Sequence, residues 1–250
     1  MRPESTGAWR WLLPTAFWLA VWWLASLAVG KSLLIPSPPE VLRTLGALVV
    51  TGAFWRYTGL SLLRITLGLG LGILAGVLTA LLTHRFSLLR ALLAPAIRVV
   101  RATPVASFII LVLLWVANGR VPVVISALVV LPVIWESTSA GLESVDGQLL
   151  EFARAYRLTR LDTLRRIVLP SMLPQLSAAV CTAIGLAWKS GVAAEVLCLP
   201  KAAVGTQVYF SKLYLDTPAL FAWTLVVVAL SLTVERIARR LLLGRKEGGK

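Results

Sequence analysis

His84, Cys181 and Cys198 are the only imidazole and thiol groups in the chain. Their spacing suits no metal, so no metal site is expected and the cysteines read as two buried free thiols. A membrane-embedded enzyme would need His, Asp or Cys clustered at one depth, which one histidine and two apolar-flanked cysteines do not supply. No GxxxxGK[ST] phosphate loop is present, so the chain should hold neither ATP nor its Mg itself. The charges that could act on a solute are Arg64, Lys189 and Glu195, which stand in or beside long apolar runs. Charges there are costly and often functional. Lys189 and Glu195 either line a path or gate, or snorkel outward or pair with each other, although i, i+6 is a poor spacing for a direct helical pair. Arg64 lies one turn into its apolar run and reads first as structural, snorkelling outward. Lys189 and Arg64 would suit an anion.

The elements that carry these residues are membrane helices. The chain is 58% hydrophobic and only 14% charged, with a mean hydropathy of +0.84. A soluble domain carries about 25% charge. With about 20 apolar residues needed per crossing, about six spans are expected. They are centred on Trp11–Val29, Leu60–Leu82, Pro104–Ala117, Pro122–Trp135, Leu173–Ala194 and Ala219–Thr233. The third is short unless it borrows from Leu88–Val100, and Thr103 before Pro104 predicts a break between them. Gly68, Gly70, Gly72 and Gly76 read as helix-packing positions of the second span. Glu136, after Trp135, reads as an interfacial anchor. Ser37-Pro38-Pro39-Glu40 predicts the capped start of a short outer-surface helix.

The net charge of +14 places no nucleic acid among the partners, because the basic residues flank the apolar runs. They also orient the chain. With the N-terminus inside, the inner segments hold Arg2 and Arg10; Arg85, Arg90, Arg98 and Arg101; Arg154, Arg157, Arg160, Arg165 and Arg166; and Arg236, Arg239, Arg240, Arg245, Lys246 and Lys250. The outer segments hold only Lys31, Arg43, Arg56, Arg120, Lys201 and Lys212. Both termini are therefore expected in the cytoplasm.

The inner loop from Glu143 to Pro170 is long for a connector. Asp146 predicts an N-cap, Gln148 to Tyr156 a helix, and Thr159 with Asp162 a second capped helix, the two broken near Arg157–Leu158. Leu161, Leu164 and Val168 share one face of the second helix, and Pro170 marks the start of the fifth span. Phe152 and Tyr156, at i, i+4 between Ala153 and Ala155, form a knob that a partner's groove could receive, or else a face packed on the chain's own surface.

Glu151-Phe-Ala, followed by Ile167-Val-Leu-Pro170, resembles the "EAA" loop of ATP-binding-cassette importer permeases. In that pattern Glu-Ala-Ala is followed by three residues, Gly, nine residues and Ile-x-Leu-Pro. Glu151, Ala153, Ile167, Leu169 and Pro170 match in register; Phe152 replaces the first Ala and Arg157 stands at the Gly. A left-handed Arg there would cost roughly 1 kcal/mol. Arg101-Ala-Thr-Pro104 and Ala187-Trp-Lys-Ser-Gly-Val-Ala-Ala-Glu195 extend the resemblance to the nitrate/sulfonate/taurine group.

The resemblance implies an all-α integral membrane protein with the type I ABC importer permease fold. Residues 1–55 would be an N-terminal anchor helix and outer-surface segment, and residues 56–245 the permease domain, with coupling loop 143–170. It implies a second permease copy, two cytoplasmic ATPase subunits carrying ATP and Mg, an extracytoplasmic binding protein and the lipid of a bacterial cytoplasmic membrane. Glu151, Ala153 and Tyr156 would form the docking face, with Phe152, Arg154, Arg157, Leu161 and Pro170 completing the coupling element. Solutes of the sulfonate, taurine, nitrate or vitamin-precursor type follow from the same resemblance. The alternative is a stand-alone secondary transporter or channel, for which no matching halves are visible.

Overall fold

A computed structural model describes residues 9–243, and the helices run in chain order as follows. They are α1 (Trp9–Val29), α2 (Pro38–Val49), α3 (Gly52–Arg85), α4 (Ser87–Ala102), α5 (Val105–Leu113) and α6 (Val121–Glu143). Then come α7 (Gly147–Ala155), α8 (Arg160–Thr163), a π-helical turn (Leu164–Val168), α9 (Leu169–Cys198), α10 (Val204–Leu213) and α11 (Thr217–Leu243). Among the described residues α3, α6, the continuous run Arg160–Cys198 and α11 are each long and apolar enough to cross a bilayer. The α1 helix adds an apolar run over Leu13–Val29. The basic cluster Arg245, Lys246 and Lys250, with Arg2 at the other end, lies outside the described residues.

The centre of the molecule is α6, held between α3 and α9. Gly68, Gly72, Gly76 and Ala80 recur every fourth residue, so they form one stripe along α3, and all are buried. On the opposite side Leu63, Leu67, Leu71, Leu74 and Leu78 are all at least half exposed. Small residues inside and leucines outside is the pattern of a helix that packs on protein through its backbone and meets lipid with its side chains. Gly70 departs from the expectation above: a Cβ there would meet nothing within 4 Å. It lies off the packed stripe.

Buried polar groups fix the register of this core. Trp135 Nε1 donates to Thr83 Oγ1 at 3.0 Å, joining α6 to α3. Ser126 Oγ donates to the Ala187 carbonyl at 3.2 Å, joining α6 to α9. Trp188 Nε1 donates to the Val227 carbonyl at 2.9 Å, joining α9 to α11. In an apolar medium such donors must find partners within the protein. The start of α2 follows its sequence: the Glu40 carboxylate accepts from the Ser37 N–H at 2.8 Å.

One element meets its sequence-based expectation and one departs from it. The break expected at Thr103 is present and sharp: α4 and α5 meet at 107°. Thr103 is extended (φ −76°, ψ 131°), as a residue before proline should be, and its N–H and hydroxyl both close on the Val99 carbonyl. The nine residues of α5 alone rise about 14 Å, less than half the hydrocarbon thickness. In the fifth span, the helix does not begin at Pro170 but already at Arg160, and runs through the proline to Cys198. Proline inside a helix lacks an N–H and clashes with the carbonyl four residues back. The π-helical turn over Leu164–Val168 supplies the local widening, with the Leu169 N–H closing on the Leu164 carbonyl.

Candidate coupling and translocation sites

The α7 helix starts at Asp146, whose carboxylate accepts from the Gln148 N–H at 2.8 Å. It ends in a Schellman motif: Leu158 N–H reaches the Ala153 carbonyl at 2.9 Å and Arg157 N–H the Arg154 carbonyl at 3.0 Å. That motif needs a left-handed residue at Arg157, and Arg157 has φ +51°. The loop therefore keeps the backbone shape of the glycine pattern and bears the steric penalty of a Cβ. Thr159 then caps α8, accepting from the Asp162 N–H at 3.1 Å.

Replacing Arg157 by Gly should accordingly stabilise the turn by about 0.5–1 kcal/mol, the left-handed penalty less glycine's extra freedom when unfolded. Amide exchange at Leu158 should slow about two- to fivefold. Unchanged or faster exchange would show that the Arg157 side chain holds the turn by contacts of its own.

The caps orient α7 so that Phe152 and Tyr156 stand outward, 52% and 69% exposed, with ring centroids 4.2 Å apart. Glu151, Arg154, Arg157, Leu161 and Pro170 are exposed on the same loop. Ala153 is different. It is 3% exposed, so it packs α7 against its neighbours and does not share the outward docking face expected of it. Leu161 and Leu164, 71% and 40% exposed, likewise stay open on the face they share with the half-buried Val168. An open groove of about 590 Å³ runs between α7 and the α8–α9 rod, lined by Leu150, Arg154, Leu158 and Leu164 among others.

At the opposite end of α9 the expected path residues separate. Glu195 is fully buried. Its Oε2 accepts from Ser61 Oγ at 2.8 Å and from the Gly205 N–H at 3.1 Å. Its Oε1 lies 3.7 Å from Arg64 Nη1. Arg64 also donates to the carbonyls of Ala202 at 3.0 Å and Lys201 at 3.1 Å, and Ser61 Oγ accepts from the Val204 N–H at 2.9 Å. Ser61 and Arg64 share a face of α3, one turn apart. The cluster thus clasps α3, α9 and the start of α10 around a tight loop in which Leu199 and Ala202 are both left-handed. In this arrangement Glu195 and Arg64 hold helix ends together, and the Glu195 carboxylate faces protein on all sides. Lys189 is exposed and does not pair with Glu195, because six residues turn the helix about 120° away from a shared face.

Sequence reasoning passed over a different pair. Arg101 on α4 and Glu136 on α6 are in direct ionic contact, 63% and 56% exposed. Arg90 and Glu143 repeat the contact at 2.8 Å, so α4 is tied to α6 at two levels. Glu136, expected as an interfacial anchor, is thus found as an ion-pair partner. No single-sequence signal joins residues 35 positions apart.

Residues 68–244 match the family model described as "Binding-protein-dependent transport system inner membrane component". The taurine transport system permease protein TauC of Escherichia coli (strain K12) is 26% identical over 243 residues, covering 91% of this chain and 88% of that one. A putative aliphatic sulfonates transport permease protein, SsuC of the same organism, is 30% identical over 205 residues, covering 77% of this chain and 76% of that one. In structure, a bacterial alginate ABC transporter solved with its alginate-pentasaccharide-bound periplasmic protein aligns with a TM-score of 0.67 at 16% identity, over 97% of this chain and 96% of that one. That last likeness is one of fold. With this family match over an all-helical membrane fold, the chain belongs to the binding-protein-dependent inner-membrane components, the permeases of ATP-binding-cassette importers.

Proposed function

We propose that this permease carries a small organic solute inward, as one of two copies driven by two cytoplasmic ATPase subunits and supplied by an extracytoplasmic binding protein. The observation that carries the reading is α7. It is a helix capped at both ends, standing between two long membrane helices, with an exposed aromatic pair in register with the importer coupling loop. Tyr156 and Phe152 would enter a groove of the ATPase, with Glu151 and Arg154 at its rim. ATP and Mg would bind on that partner. The α8–α9 run is 39 residues without a break, a rod of about 60 Å. A push delivered at α7 would therefore tilt a stiff lever that reaches the far side of the membrane.

The bias of Lys and Arg supports a cytoplasmic α7 and cytoplasmic termini. Arg154, Arg157, Arg160, Arg165 and Arg166 are all exposed on this loop. The relatives named for taurine and aliphatic sulfonates support a sulfonate-type solute.

Purification of the tagged chain in mild detergent should bring a P-loop ATPase with it. The double change Glu151→Arg with Tyr156→Arg should remove that ATPase while leaving the permease folded. A wild-type chain that purifies alone and moves solute in liposomes without ATP would instead be a secondary transporter or channel.

A further inference from the structure

The bend between α4 and α5 leaves a wedge that α6 and α9 do not fill. The cavity there measures about 450 Å³. Its walls are apolar, with Phe108 from α5, Leu128 and Val129 from α6 and Leu186 from α9. Its charged end is the Arg101–Glu136 pair, and Thr103 at the bend also lines it. Pockets of this size and make-up are those that take small organic ligands.

We propose that this crook is the solute site within the membrane, and that it takes a small organic solute with an apolar body and adjacent opposite charges. The inference rests on the importer reading above and deepens it by naming the site and the solute class.

Three physical points select that class. At about 450 Å³ the cavity lies within the size range of sites that enclose small organic ligands and far exceeds the volume of a single small inorganic ion. An inorganic anion such as nitrate would leave most of that apolar wall without a partner and would lose hydration without replacement. The charged end offers one cation and one anion already in contact. Both charges line the same end of the cavity, so a solute bearing a single charge is drawn to one member of the pair and repelled by the other, whereas a solute bearing both charges meets a complement at each. Lys189, Arg64 and Glu195 are then not needed for recognition, in keeping with the buried clasp that holds Arg64 and Glu195.

Leu128→Cys places a thiol in the cavity wall, and Val50→Cys places one in the exposed turn between α2 and α3, outside the spans, as a reference. Cys181 and Cys198 are both buried, and changing them to Ala gives a clean background. In the complex with its ATPase, modification by the neutral reagent N-ethylmaleimide is timed with added N-cyclohexyltaurine, octanesulfonate, taurine or nitrate. The first has both charges and an apolar body, the second lacks the amine, the third lacks the body and the fourth lacks both. N-cyclohexyltaurine should slow modification at residue 128 at least tenfold, octanesulfonate and taurine at most about threefold and nitrate not at all. Residue 50 should react throughout and respond to none of them. Arg101→Gln should abolish the protection, and Glu136→Gln serves if that variant fails to assemble.

A residue-128 thiol that stays unreactive throughout, as it would beneath a lipid tail or a second copy of the chain, overturns the assignment. So does protection by nitrate equal to that by N-cyclohexyltaurine, or protection that survives both variants. ATP-dependent uptake by the wild-type complex is measured separately. If uptake is present and protection absent, only this inference falls. If transport proceeds without the ATPase, the importer reading falls as well.

Discussion

Glu195→Leu is expected to destabilise the folded chain by about 3–5 kcal/mol, and Glu195→Gln by only about 1 kcal/mol. The leucine removes the acceptor for the Ser61 hydroxyl and the Gly205 N–H at once, and it leaves Arg64 without a counter-charge. All of this takes place where Glu195 is fully buried, so water cannot stand in for the lost partner. The glutamine keeps an oxygen in the same place for both donors and turns its NH2 toward Arg64, replacing an attraction by a weak repulsion at 3.7 Å, which is not a close contact. Arg64→Leu should approach the effect of Glu195→Leu, because it strands the carboxylate and releases the Lys201 and Ala202 carbonyls. The double leucine variant should be less harmful than the two single effects added, since neither charge is then left alone. Unfolding in mixed detergent micelles reads all four variants. Equal effects of leucine and glutamine at position 195 would show that shape, and not hydrogen bonding, holds the clasp. Loss of transport at full stability in Glu195→Gln would return this residue to the translocation path.

That clasp marks where the sequence stops being informative. The bilayer imposes a length and a polarity on every crossing, so α3, α6 and α11 stand out from hydropathy alone. Local chemistry is equally visible: the caps at Ser37, Asp146 and Thr159 and the break at Thr103 each depend on residues within four positions of one another. The left-handed Arg157 could be foreseen as a position, though not whether the chain would accept the penalty. What could not be read are contacts between distant segments. Glu195 meets Ser61 across 134 positions, and no periodicity announces that meeting. The continuity of α8 into α9 was hidden for another reason. Proline argues for a helix start, and the π-turn that lets the helix pass through it has no propensity signature. The α10 helix, whose start at Val204 and Gly205 is held by the clasp, lacks a strong apolar stripe and left no trace in the hydropathy. The i, i+6 spacing did speak against a Lys189–Glu195 pair, and the two stand apart in the structure. Counting 3.6 residues per turn puts Lys189 and Glu195 on different faces of α9, which already separates an exposed charge from a buried one.

Gly72→Leu is expected to prevent assembly of the central helices, with a cost of about 3 kcal/mol or more, whereas Gly70→Leu two residues away should be nearly neutral. The difference is one of geometry. A Cβ at position 72 would lie 2.7 Å from the Ala127 carbonyl oxygen and 2.7 Å from Val130 Cβ, both on α6. One of these neighbours is backbone, so no rotamer change relieves the contact, and α3 and α6 must move apart. Separation would then break the Trp135–Thr83 hydrogen bond at one end of the pair and expose Ile65 and Val130 in the core between. Association of helices in lipid depends on such close approach, because burying leucine against leucine gains nothing over leucine against acyl chains. Position 70 points where a Cβ meets nothing within 4 Å, so the same substitution only adds one more apolar side chain to that side of α3. Gly72→Ala grades the effect, since its single methyl already falls inside the forbidden distance. The amount of monodisperse protein recovered in detergent, with its unfolding midpoint, should fall in the order wild type, Gly70→Leu, Gly72→Ala, Gly72→Leu. Equal recovery of the two leucine variants would mean that α3 and α6 do not pack through the glycine stripe.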